Sequence, residues 1–251
     1  MPDKKRYGRA LIAAGFWLLV WQLVSMAVGQ AVLLASPLAT LVRLFALAGT
    51  GEFWRSALFT LAHILAGYLL ASAAGILLAV LASRFRLLGE LLSPLLAAMR
   101  SVPVASFVIA ALIWVPSRRL SILISLVIVL PLVYAGTLDG LRQIDPRLME
   151  MARVFRMSRL NRLRAVELPA ALPSVASSLS VAIGMAWKSG VAAEVIGIPG
   201  GSIGEKLYKA KVYLATPDLF AWTLTIVLLS AACSRLVKLG LRALSRSLER
   251  M

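Results

Sequence analysis

Cysteine and histidine are almost absent: Cys233 and His63 are the sole examples in 251 residues. One cysteine excludes an intrachain disulfide, and one of each supplies neither a zinc-ligand set nor a cysteine–histidine nucleophile pair. Cys233 lies in an apolar run and reads as a small buried hydrophobe. His63 lies in another, where it reads either as a helix-packing hydrogen-bonding group or as a functional intramembrane group. Charge is scarce as well. Charged residues make up 15% of the chain, whereas a soluble domain carries about a quarter. No G-x-x-x-x-G-K-[ST] sequence occurs, which excludes ATP hydrolysis by this chain alone. The glycines of GIPGGSIGEK resemble such a loop but fail on spacing, and read as turn residues. No nucleophile, base and metal ligands gather at one depth, which excludes a membrane enzyme. No Pro/Ser-rich linker divides the chain, so residues 1–251 are expected to form a single domain.

What the chain has is apolar length. Hydrophobic residues are 60% of the total and the mean hydropathy is +0.87. Several stretches run for roughly 18 or more residues with almost no charge, the mark of a transmembrane helix. The fold class is therefore an all-α integral membrane protein. Six spans fit, at about 10–28, 57–82, 91–114, 120–141, 172–195 and 219–239, the third interrupted by Arg100 and Pro103. The start imitates a signal peptide, with four basic residues in 4–9 ahead of an apolar run. That run exceeds the roughly 7–15 residues of a secretory core and holds Trp17 and Trp21, so an uncleaved first span is expected.

The net charge of +16 would suggest nucleic acid in a soluble protein. Here the basic clusters sit between apolar spans, where Lys and Arg mark the cytoplasmic side, and no nucleic-acid partner is expected. With the N-terminus inside, 18 of the 27 basic residues fall in inner segments: four in 4–9, two in 84–86, seven in 142–164 and five in 235–250. Seven fall outside, Arg118 and Arg119 among them, and Arg100 and Lys188 lie within spans. Both termini are thus expected in the cytoplasm of a multi-pass protein. The outer segment 29–56 should begin a short helix at Ser36-Pro37, since Ser caps and Pro suits the first turn. The outer segment 197–217, with four glycines, reads as a loop.

The inner segment, about 142–171, carries the strongest pattern. Asp145-Pro146 reads as an N-cap with proline in the first helical turn. Leu148, Met151/Ala152 and Phe155 then repeat at helical spacing, with Arg153, Arg156 and Arg159 on other faces. Ser158 can cap a second short helix after a bend, and Pro169 and Pro173 mark the start of the fifth span. Such a helix pair either projects as a docking surface or lies on the membrane as an amphipathic helix.

The residues themselves resemble the "EAA" motif of ABC-importer permeases: E-A-A, three residues, G, nine residues, I-x-L-P. Glu150, Ala152, Val166, Leu168 and Pro169 all fall in register. Further matches to the nitrate/sulfonate/taurine-type branch are Arg100-Ser101-Val102-Pro103, Val133–Asp145, Leu168-Pro169-Ala170-Ala171-Leu172-Pro173-Ser174 and Ala192-Ala193-Glu194-Val195-Ile196-Gly197. The resemblance spans most of residues 10–245.

That resemblance implies a type I importer permease of six transmembrane helices with a cytoplasmic coupling-helix loop, in a bacterial cytoplasmic (inner) membrane. It implies a homodimer, two copies of a cytoplasmic ABC ATPase subunit that bind the ATP and Mg, and an extracytoplasmic solute-binding protein. The permease itself would hold no cofactor or metal. Glu150, Ala152, Arg153, Arg156 and Ser158 would lie at or near the ATPase contact, with Leu168 and Pro169 setting the angle to the fifth span. Two positions depart from the motif: Met151 stands for the first alanine and Arg156 for the glycine. Arginine cannot adopt the left-handed backbone as cheaply as glycine, so the bend should be made differently or matched by the partner. For the solute path, Lys188, with Ser189 beside it and Glu194 toward the outer end, are the candidates, because charge inside a span usually faces a cavity or partner. The solute implied is a small anion, such as a sulfonate or nitrate, or a vitamin precursor. The alternative is an autonomous ion-coupled secondary transporter or channel, which would carry mid-membrane relay carboxylates or an internal repeat.

Overall fold

The computed structural model describes residues 4–30 and 32–248. Within them the chain forms helices α1 (Lys4–Val28), α2 (Pro37–Ala48), α3 (Gly51–Arg84), α4 (Arg86–Ser101), α5 (Val104–Ala111) and α6 (Ser117–Arg142). After these come α7 (Pro146–Val154), α8 (Arg159–Arg162), a π-helical turn (Leu163–Glu167), α9 (Leu168–Gly197), α10 (Ile203–Val212) and α11 (Thr216–Leu248). Arg250, counted among the inner basic residues, lies outside the described residues.

Among the described residues, four helices are long and apolar enough to cross a membrane: α3, α6, α9 and α11. They correspond to the second, fourth, fifth and sixth expected spans. The expected third span is not one helix. α4 and α5 meet at a bend of 102°, because Pro103 forces the preceding Val102 out of the helical region, to φ −73° and ψ 127°. Counting the bent pair gives five candidates. α1 is helical as expected, and its apolar part, Ile12–Val28, is shorter than the four long helices. Six spans thus exceed what the described residues show by length and composition.

The centre is α6, packed between α3 and α9. Ile64, Tyr68 and Ala71 of α3 meet Val129 and Val133 of α6 and Ala182, Ile183, Ala186 and Trp187 of α9, all buried. Small residues bring these backbones close, as helix pairs in lipid require. A Cβ on Gly75 would sit 3.0 Å from the Leu130 carbonyl oxygen, and one on Gly140 would sit 2.8 Å from Ser174 Cβ.

The two connections expected on the outer side are more ordered than loops. Ser36 caps α2 as expected, its Oγ accepting from Ala39 N–H at 3.2 Å. α2 lies against α11, with Arg43 paired to Asp218. The segment 197–217 was expected to be a loop but contains α10. The hydroxyl of Ser202 accepts from the Glu205 N–H, and Glu205 accepts from the Gly201 N–H, so a reciprocal cap starts a helix that the glycine count conceals. Gly201, at φ +84°, supplies the turn before it. Burial pushes the Glu205 pKa up, but bonds to Lys209 and Gly201 N–H outweigh it and hold the carboxyl below its ordinary value.

Candidate functional site

The segment expected on the inner side forms two helices joined by a tight turn. Asp145 Oδ1 accepts from Arg147 N–H at 2.8 Å and Pro146 opens α7. Ala152 is the buried residue of α7, at 1% exposure. Leu148, Met151, Val154 and Phe155 all present apolar surface, Val154 and Phe155 with more than 70% of theirs open. The expected apolar face therefore exists, but α7 inserts only Ala152 into this chain and leaves Phe155 outward. Glu150, Arg153, Arg156 and Ser158 are exposed beside it.

The turn after α7 settles how Arg156 is accommodated. Arg156 adopts the left-handed conformation, at φ +48°. The Met157 N–H donates to the Ala152 carbonyl at 3.0 Å and the Arg156 N–H to the Arg153 carbonyl at 2.9 Å. This pair of bonds is the Schellman motif, whose left-handed position glycine normally fills. The bend thus takes the left-handed form that glycine would supply, with an arginine carrying strain of about 1 kcal/mol relative to glycine. Arg156→Gly should stabilise the turn by about that amount. Slower hydrogen exchange at the Met157 amide is the expected result, and unchanged exchange would mean the arginine is unstrained.

Ser158 Oγ accepts from Asn161 N–H at 3.3 Å, so the second cap is present, over the single turn of α8. The chain then widens into the π turn, and Leu168 N–H reaches back to the Leu163 carbonyl as α9 begins. Pro169 lies in the first turn of α9, where its missing N–H costs nothing.

Sequence reasoning did not single out Glu167, the unspecified position in I-x-L-P. Its carboxylate is 5% exposed and accepts from two arginines: Arg84 Nη2 at 2.6 Å on Oε2 and Arg162 Nε at 3.0 Å on Oε1. Arg84 ends α3 and Arg162 ends α8. One carboxylate therefore ties the loop to the C-terminal end of α3.

The three path candidates separate in space. Lys188 is exposed, on a face of α9 shared with Ser177, Val181 and Met185. Ser189 is buried and donates to the Met185 carbonyl of its own helix at 2.9 Å. Glu194 is fully buried. Its Oε2 accepts from Thr60 Oγ1 of α3 at 2.7 Å and from Gly204 N–H at the start of α10 at 3.3 Å. Thr60 Oγ1 in turn accepts from Ile203 N–H at 3.0 Å. Glu194 thus anchors the start of α10 to α9 and α3 inside the protomer. Nothing in the sequence pointed to Thr60, which lies 134 residues away.

His63 takes the packing reading: Nδ1 lies 2.8 Å from the Phe59 carbonyl oxygen, with its ring stacked on Phe59. Cys233 is buried as expected. An apolar cavity of about 350 Å³ sits inside the α4–α5 bend, between Leu95, Met99, Val102, Phe107 and Ile128. It offers no polar partner to a charged solute. Among the described residues no group of three His, Cys, Asp or Glu is placed to hold a metal.

Residues 71–250 match the family model described as "Binding-protein-dependent transport system inner membrane component". The chain belongs to that family. A permease protein of Bacillus subtilis (strain 168) named for aliphatic sulfonate transport, SsuC, is 28% identical over 98% of this chain and 89% of its own length. The nitrate import permease protein NrtB of Synechococcus elongatus is 26% identical over 80% of this chain and 75% of its own. Among solved structures, an amino acid ABC transporter superposes with a TM-score of 0.61 at 18% identity, over 76% of this chain and 94% of the other. The family, these relatives and the helical fold agree on a permease subunit of an ABC importer. They set aside the autonomous secondary transporter or channel.

Proposed function

We propose that this permease works as a homodimer with two copies of a cytoplasmic ATPase subunit, importing a small anion that an extracytoplasmic binding protein delivers. The observation that carries the ATPase contact is the outward face of α7. Phe155 and Val154 are held away from the protomer by the Schellman turn, with Glu150 and Arg153 beside them. Apolar side chains rimmed by charge favour a protein groove over bulk water. ATP and Mg belong to the partner, which supplies the hydrolysis this chain lacks.

Six crossings are proposed: α1, α3, the bent α4–α5 pair, α6, α9 and α11. Both termini and the α7–α8 loop then face the cytoplasm of a bacterium, and α2 and α10 face outward. Lys188 supports the dimer. A cation on an open face of a long apolar helix is costly in lipid, and a second copy would enclose it beside a polar path. Ser189 and Glu194 would support that path from behind, holding the helix carrying Lys188 in place. A cation there, and relatives named for sulfonate and nitrate, favour an anionic solute. ATP binding closes the two ATPase subunits, the α7–α8 loops move together, and the spans reopen outward.

The test is a tagged pull-down of the chain from native membranes in mild detergent, followed by reconstitution of whatever is retained. An ATPase recovered at one per permease, with uptake of labelled nitrate or taurine that needs ATP and the binding protein, is the expected result. A chain recovered alone that drives uptake from an ion gradient would overturn the proposal.

A further inference from the structure

The Arg84–Glu167–Arg162 cluster lies where the coupling loop joins the membrane helices. Glu167 is the last residue of the π turn, and a π turn is a place where helical bonding is locally irregular. A loop joined to α9 through such a turn alone would lose much of its displacement in bending. The carboxylate removes that freedom. Oε1 is committed to α8 through Arg162 and Oε2 to α3 through Arg84, so three elements converge on one buried group. Arg84 is also the C-terminal residue of α3, where a cation suits the exposed carbonyls.

The outer end repeats the arrangement. Thr60 of α3 bonds both to Glu194 of α9 and to the Ile203 N–H of α10. α3 and α9 are therefore joined at both ends by polar contacts, and along their length they pack on the two sides of α6. A displacement delivered to Glu167 reaches the outer end of α3 through a rigid helix.

On this basis we propose that Glu167 is the positioning residue that passes coupling-loop movement to α3, with Arg84 as its receiver. This rests on the reading of α7–α8 as the ATPase-docking loop. Arg162 holds Glu167 to the loop side, and Arg84 alone carries the tie to α3.

The experiment follows movement rather than transport, so it needs no solute. In a Cys233→Ser background, spin labels are placed at Arg147→Cys on the loop and, separately, at Arg55→Cys near the outer end of α3. Distances between the two copies are measured in the assembled importer, without nucleotide and with ATP and vanadate. In the otherwise unaltered protein both distances should change. In Glu167→Gln and in Arg84→Met the loop distance should still change, while the change at residue 55 becomes at least about twofold smaller. Arg84→Met removes a half-exposed side chain and keeps the Arg162 bond, so it decides the matter if Glu167→Gln fails to accumulate. A full-sized change at residue 55 in Arg84→Met would overturn the proposal and leave the cluster a static brace. If neither label moves in the unaltered protein, the docking-loop reading itself fails instead.

Discussion

Phe155→Ala weakens attachment of the ATPase by about 2 kcal/mol, roughly thirtyfold in Kd. Aromatic anchors seated in a partner's pocket carry a disproportionate share of interface energy, and Phe155 is the largest apolar side chain of this turn that the protomer leaves open. Its backbone position is fixed on both sides. Its own N–H donates to the Met151 carbonyl at 3.0 Å, and the left-handed Arg156 follows it. Little ordering entropy remains to be lost on docking. Glu150→Arg should have a similar effect through reversed charge at the same surface, and it should depend on salt, which the Phe155 effect should not. The measurement is the affinity of the co-purified ATPase for each variant in detergent at two ionic strengths. Leu38→Ala, an equally exposed apolar position on outer helix α2, should leave the affinity unchanged. An unchanged Kd for Phe155→Ala would mean that α7 lies on the membrane surface instead of in a groove.

The second large effect is on stability, at the outer anchor. A Cβ on Gly204 would collide with the Glu194 Cβ, 2.5 Å from the Glu194 carbonyl carbon and 2.7 Å from Val195 N. Two of those three neighbours are backbone atoms in the middle of a packed region, which cannot rotate aside. Gly204→Ala must therefore lift the start of α10. That breaks the Gly204–Glu194 and Ile203–Thr60 bonds and leaves a fully buried carboxylate with fewer donors. Overpacking together with an under-satisfied buried group costs about 3 kcal/mol. At this chain length that lowers the midpoint of thermal unfolding by roughly 10 °C. Retention of the monodisperse peak after heating in detergent measures it. Gly200→Ala, where an added Cβ meets nothing within 4 Å, is the control and should behave as the unaltered protein. If both variants melt together, the contact between α9 and α10 is looser than the structure shows.

The two anchors differ in how visible they were beforehand. The 142–171 loop was legible almost residue by residue, because its signals are local. A cap reaches two or three residues, an amphipathic face repeats every three or four, and the motif spacing from Glu150 to Pro169 fits inside one loop. Even the departure at Arg156 could be flagged, since a glycine position implies a left-handed turn. What it could not reveal was that the arginine would adopt that conformation anyway, with the Schellman bonds of Met157 and Arg156 retained. The third span shows the same limit. Pro103 announced a break, but the 102° turn depends on where α5 finds its packing against α6 and α9. Glu194 was read as a path residue on the sound premise that buried charge needs a reason. The reason is Thr60 and the start of α10, which no spacing rule connects to it.

By itself, the sequence determined that lipid is the solvent, that the chain is helical, where four of the long apolar helices run, and which loop carries a capped amphipathic helix. Those properties follow from hydropathy summed over a helix length and from side chains acting on backbone a few residues away. Only the tertiary structure decided that Glu167 joins the loop to α3, that Glu194 holds the start of α10, and that Lys188 alone of the three path candidates stands open in the protomer. A carboxylate's role depends on which donors packing brings within about 3 Å, and here one donor to each, Arg84 and Thr60, comes from α3, 83 and 134 residues away.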